Sequence, residues 1–122
     1  MDQERLNERL WLAACVGQTE EVEDYIKRGA NVNYKDRLGQ SPLFVASWEG
    51  HTETVSRLVD LGADIDVKDD SGRSPLFVAS MNGHTETVSR LVDLGADINA
   101  KDDWKQSRKL RIKLFIDLVT LA

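Results

Sequence analysis

Residues 41–67, SPLFVASWEGHTETVSRLVDLGADIDV, return at 74–100 as SPLFVASMNGHTETVSRLVDLGADINA, a near-copy displaced by 33 positions. A fixed period of this size is the mark of a chain that lays one supersecondary unit against the next and builds a continuous core from the stack. This repetition sets the architecture before any single propensity is weighed.

Within one unit the punctuation is regular. Ser41 offers a side-chain oxygen to the start of a helix, and Pro42 takes the first helical position, where a missing N–H costs nothing. Leu43, Val45 and Ala46 supply apolar contacts, and Gly50 ends this short helix. A second helix starts at His51 or Thr52, with Glu53 favourably placed near its positive end. Val55, Leu58 and Val59 fall on one face by their spacing, and Gly62 supplies the stop. The linking segment ADIDVKDDSGR carries a turn signal at Asp69, Asp70, Ser71 and Gly72. Each unit is therefore helix, turn, helix and projecting loop, and the expected fold class is all-α. Two helices of about ten residues cannot hide their apolar faces alone, so the units must stack. Ala46 and Ala79 are small where a helix must come close to its neighbour.

These residues resemble the ankyrin repeat. The family pattern, D-x-x-G-x-T-P-L-H-x-A followed by G-H-x-E-x-V and G-A-D-h-N, is followed from Asp36 to Asp66 and again from Asp69 to Asn99. One period earlier, Leu10, Ala13, Gly17, Thr19, Glu20, Val22, the run from Gly29 to Asn33, and Asp36 fall in the same places. The resemblance implies a single ankyrin-repeat solenoid of three repeats with projecting β-turn loops. Its parts are an N-terminal capping repeat at 1–35, repeats at 36–68 and 69–101, and a C-terminal capping helix at 102–122. The family's Thr-Pro-Leu-His reads Ser-Pro-Leu-Phe at Phe44 and Phe77, which exchanges the histidine's hydrogen-bonding role for aromatic packing. After Asp103 the pattern stops: Lys105 stands where Gly belongs and Arg108 where Pro belongs.

The tail, SRKLRIKLFIDLVTLA, puts Leu110, Leu114, Leu118 and Leu121 on one helical stripe, with Arg108, Lys109, Arg111 and Lys113 bunched at its start. A single helix covering the end of the third repeat is expected. Ile112, Phe115, Ile116 and Val119 make it apolar nearly all round, which invites a second chain.

The two copies, 36–68 and 69–101, are identical at 26 of 33 positions. The differences are Arg37/Asp70, Leu38/Ser71, Gln40/Arg73, Trp48/Met81, Glu49/Asn82, Asp66/Asn99 and Val67/Ala100. The first five pairs sit at the loop tip and the end of the first helix, the places that the resemblance assigns to the concave surface. The expected partner-binding residues are therefore Arg37, Leu38, Gln40, Trp48, Glu49, Asp70, Ser71, Arg73, Met81 and Asn82, with Asp103, Trp104 and Gln106 at the third loop. Trp, Met and Arg are the types in which binding energy concentrates. An exposed Trp48 would favour a partner most, because such a ring is costly to keep uncovered.

Other chemistry finds little footing. His51 and His84 are equivalent copies on successive layers, whereas a catalytic or metal site needs convergent, dissimilar groups. The pairs Asp69-Asp70 and Asp102-Asp103 lack calcium-loop spacing, and capping and turns explain them better. Cys15 follows Ala13 and Ala14 on the first helix, reads as a small buried thiol, and has no histidine expected beside it. No cofactor site is read, and Asn33 and Asn99 match a position that the resemblance marks for hydroxylation. Residues 1–103 hold 11 Lys and Arg against 20 Asp and Glu, so the body is acidic and argues against nucleic acid as the partner. The start MDQERLNERLWLAA carries no export signal, no segment suggests a membrane span, and one cysteine suits a reducing compartment. The expectation is an intracellular protein, cytoplasmic or nuclear, that is not an enzyme and binds a partner protein through its concave groove and loop tips. It is expected as a monomer, the alternative being a structural protein that self-associates through the tail.

Overall fold

The computed structural model describes residues 2–98. Among them lie six helices and no strand: α1 (Gln3–Val16), α2 (Thr19–Lys27), α3 (Pro42–Glu49), α4 (Thr52–Asp60), α5 (Pro75–Met81) and α6 (Thr85–Asp93). The helix expected over 102–122 lies outside the described residues, as do Asp103, Trp104, Gln106 and Asn99.

Local chemistry starts the inner helices where the sequence places them. Ser41 Oγ accepts from Phe44 N at 3.1 Å and Ser74 Oγ from Phe77 N at 3.1 Å, each followed by Pro at the first turn. Asp2 does the same for α1, accepting from Arg5 N at 2.9 Å. The second helices start differently: His51 and His84 occupy the cap position of α4 and α6 without a side-chain capping bond. Their rings reach back one repeat instead, His51 Nε2 to the carbonyl of Cys15 at 3.0 Å and His84 Nε2 to that of Trp48 at 2.8 Å. A carbonyl only accepts, so Nε2 carries the proton in both. The His84 ring lies so close over Gly50 that a Cβ there would stand 2.5 Å from Nδ1, and Gly50 itself has φ 78°. That glycine is required twice, by its left-handed backbone and by the ring above it.

Stacking then builds the core. α1, α3 and α5 form an inner row and α2, α4 and α6 an outer row, each helix packed on its counterpart in the next repeat and on its own partner helix. Leu10, Leu43, Phe44, Val55, Leu58, Val78, Val88 and Leu91 are fully enclosed, each buried apolar chain of this size contributing about 1.5–3 kcal/mol. Ala14, Ala46 and Ala79 are also fully buried, as close helix approach demands.

Polar rungs repeat along the stack at the same step. Thr19 bonds Thr54 at 2.8 Å and Thr52 bonds Thr87 at 2.7 Å, hydroxyl to hydroxyl. Asn33 Oδ1 accepts from Asp64 N at 2.8 Å, and one period later Asp66 Oδ1 accepts from Asp97 N at 3.0 Å. On the outer row Arg57 pairs with Glu23 at 2.6 Å, while Arg90 donates to Ser56 Oγ at 2.6 Å in the equivalent place. Apolar burial holds the repeats together, and these rungs fix their register.

Candidate functional site

The loop between repeats is shaped by one carboxylate. Asp36 Oδ1 accepts from Leu38 N at 3.0 Å and Gln40 N at 2.8 Å; Asp69 Oδ1 accepts from Ser71 N at 3.0 Å and Arg73 N at 2.8 Å. The acidic pair at 69–70 thus gives Asp69 to turn formation, and its neighbour Asp70 to the exposed tip. Adjacent tips join through Asp70 N, which donates to the Leu38 carbonyl at 3.0 Å.

Arg73 has the most engaged side chain of the expected binding residues. Its Nε and Nη2 meet Asp69 Oδ2 at 2.9 and 2.8 Å, and its guanidinium carbon stands 5.6 Å from the Phe44 ring centre and 5.2 Å from that of Trp48. Phe44 and Trp48 are themselves 6.2 Å apart and tilted by 33°. An ion pair this well covered, with its carboxylate also holding two backbone N–H groups, binds the third repeat's loop to the second repeat's inner helix. Trp48 is half-buried rather than exposed, because this guanidinium and the Phe44 ring cover part of it. The aromatic packing expected from Phe44 in place of histidine is present, with an arginine added on top.

The remaining expected residues divide by exposure. Leu38 is 61% exposed and Met81 38%, and Arg37, Glu49, Asp70, Ser71 and Asn82 also face solvent. Asn82 Nδ2 donates to the Trp48 carbonyl at 3.0 Å, so this residue joins the same cluster. Gln40 is half-buried, and its carbonyl accepts from Trp11 Nε1 at 3.1 Å. The structure brings the differing positions into contact across the repeat boundary: Leu38 with Asp70, Arg73 with Trp48, and Trp48 with Asn82.

Comparing only the two near-identical copies misses what the first repeat contributes. Trp11, Tyr34 and Asp36 line a cleft of about 250 Å³ with Glu8 and Leu12. The signal was present in the period itself, since Trp11 stands 33 positions before Phe44 and Cys15 stands 33 before Trp48.

Cys15 is half-buried and does have a histidine nearby, contrary to the expectation. The His51 ring is committed to the Cys15 backbone carbonyl, and it reaches this place because α4 begins one repeat later in sequence but directly beside α1's end in space. Burial pushes the thiol pKa up, and the Glu49 carboxylate adds to the effect. A thiol held protonated is a poor nucleophile. Asn33 is exposed and already engaged through both ends of its amide, with Asp64 N and the Gly62 carbonyl. Among the described residues no cluster of three or more His, Cys, Asp or Glu is placed to hold a metal ion, and no helix is long and apolar enough to cross a membrane.

Helix pairs stacked at one constant step, with a loop tip projecting at each boundary, define a linear helical-repeat protein. The model for ankyrin repeats matches residues 10–102 in three copies, and the chain belongs to that family. Ankyrin repeats are generally protein–protein interaction modules and are typically non-catalytic. A comparison with curated proteins finds no match.

Proposed function

We propose that the chain holds a partner protein on the surface made by its loop tips and the ends of its inner helices. Arg37, Leu38, Glu49, Asp70, Ser71, Met81 and Asn82 supply the exposed contacts, and Gln40, Trp48 and Arg73 form the support beneath them; Asp103 and Trp104, outside the described residues, are proposed as further contacts from the sequence. The carrying observation is that residues differing between two otherwise copied repeats touch one another across their boundary. Positions free of packing duty would scatter over both faces, whereas the outer helices Thr52–Asp60 and Thr85–Asp93 are copied without a single change. The single free thiol suits a reducing compartment, and the proposed setting is the cytoplasm or nucleus.

The test uses exposed residues, because Trp48 and Arg73 are too embedded for their loss to be read as lost contact. Leu38→Glu with Met81→Glu should remove proteins captured by the wild-type chain, with helical content unchanged. Glu53→Lys with Glu86→Lys, on the outer helices, should leave capture intact. Equal capture by both double variants overturns the assignment of this surface.

A further inference from the structure

Two residues of the cleft lined by Glu8, Trp11, Leu12, Tyr34 and Asp36, namely Trp11 and Asp36, have counterparts one repeat later that hold a cation between them. A step of 33 residues carries Trp11 to Phe44, Asp36 to Asp69 and Gln40 to Arg73. At the second boundary the Arg73 guanidinium lies over the Phe44 ring and takes both its ionic contacts from Asp69 Oδ2. The chain supplies its own cation there.

At the first boundary the carboxylate is kept, Trp11 supplies the ring in Phe44's place, Cys15 stands where Trp48 does, and the cation is missing. Asp36 Oδ1 makes the two loop bonds that Asp69 Oδ1 makes. Among the described residues Asp36 Oδ2, the counterpart of the oxygen that receives the guanidinium, has no hydrogen bond. Gln40 stands in Arg73's place without a charge, and its backbone carbonyl accepts from the Trp11 indole N–H. Glu8 adds a second carboxylate to the cleft and Tyr34 a second ring. A planar, weakly hydrated cation that both stacks on aromatic faces and pairs with carboxylates matches this lining, and the acidic balance of residues 1–103 draws cationic segments toward it.

We propose that this cleft receives an arginine side chain from the partner, in the manner that Asp69 and Phe44 receive Arg73. The proposal rests on the reading of the chain as a partner-binding module and names the chemistry of one contact. It is tested by selecting random displayed peptides on the full chain and measuring the selected peptides by fluorescence anisotropy. Each peptide is compared with its arginine-to-citrulline counterpart, which keeps the shape and removes the charge. Two variants accompany the wild type: Glu8→Gln, which removes an exposed carboxylate, and Gln40→Arg, which gives the first boundary the residue that Arg73 is at the second.

Arginine should recur at one peptide position, and citrulline there should weaken binding about tenfold, as expected for a partly covered cation beside a ring and a carboxylate. Glu8→Gln should reduce that difference and Gln40→Arg should abolish it. If peptides bind but citrulline costs nothing, or the difference survives in Gln40→Arg, the arginine cleft is overturned while the module reading stands. If selection returns no peptide at all, both fall.

Discussion

Ser47 and Ser80 occupy equivalent places on the inner helices, both fully buried, and neither hydroxyl has a hydrogen-bond partner. The first repeat carries Ala14 in the same place, also fully buried, so the surroundings accept a methyl group. Replacing Ser47 and Ser80 with Ala should therefore stabilise the protein. Leaving a buried hydroxyl unpaired costs about 1–3 kcal/mol, and alanine adds up to about 0.5 kcal/mol of helix propensity. The lost oxygen forfeits packing contacts of about 0.1–0.2 kcal/mol each, so about five of them offset roughly 1 kcal/mol. The net gain is about 0.5–2 kcal/mol per site, or roughly 1–4 kcal/mol for the double variant if the sites act independently. At about 4 °C per kcal/mol for a chain of this size, Tm should rise by roughly 4–15 °C. Thermal melts and urea titrations followed by circular dichroism measure this directly. A fall in Tm for both single variants refutes the reasoning, since each hydroxyl would then be bonding the carbonyl one turn back, at Leu43 or Leu76.

Gly50→Ala and Gly83→Ala share a positive φ, 78° and 74°, but only at Gly50 does the His84 ring occupy the space a Cβ needs. Nothing among the described residues lies within 4 Å of a Cβ at Gly83, so Gly83→Ala should cost about 1 kcal/mol from backbone strain, and Gly50→Ala at least about 1 kcal/mol more, read as a difference in urea midpoints. Asp69→Ala strips two backbone N–H groups of their acceptor and leaves Arg73 without its counter-charge, with an expected loss of about 3 kcal/mol in chemical denaturation. A loss under about 1 kcal/mol would mean the ion pair and loop are not coupled as described. Cys15 should alkylate more slowly than a free peptide thiol at pH 8–9, because the raised pKa keeps it protonated. The folded state holds that proton to higher pH than the unfolded chain, so this group's contribution to stability is complete below the unfolded thiol's pKa and is lost as pH rises through the folded one. Alkylation as fast as the free thiol's contradicts the burial.

Both helices of the second and third units were legible because Ser-Pro starts and glycine stops act locally. The loop tips were legible for the same reason: an aspartate accepting from backbone two and four residues ahead needs no tertiary partner. What the residues could not convey was which groups meet across the 33-residue step. Trp48 reads as a free anchor in one dimension and becomes half-buried once Arg73, from the following loop, is laid over it. His51 reads as a helix start, yet its ring serves the preceding repeat through the Cys15 carbonyl. The proposed binding surface comes from the differences between copies, and only packing separates the exposed Leu38 and Met81 from the embedded positions. The first-repeat cleft escaped notice because Trp11 and Cys15 differ in type from Phe44 and Trp48, so identity gave no cue to equivalence.

The central claim is that partner contact belongs to the loop tips and inner-helix ends. A photo-crosslinking amino acid placed singly at Leu38, Met81, Glu53 or Glu86 of the full chain tests it most directly, by which positions become covalently joined to the captured protein. The account predicts adducts from Leu38 and Met81 and none from Glu53 or Glu86 on the outer helices. Adducts from the outer-helix positions with none from Leu38 or Met81 would contradict it.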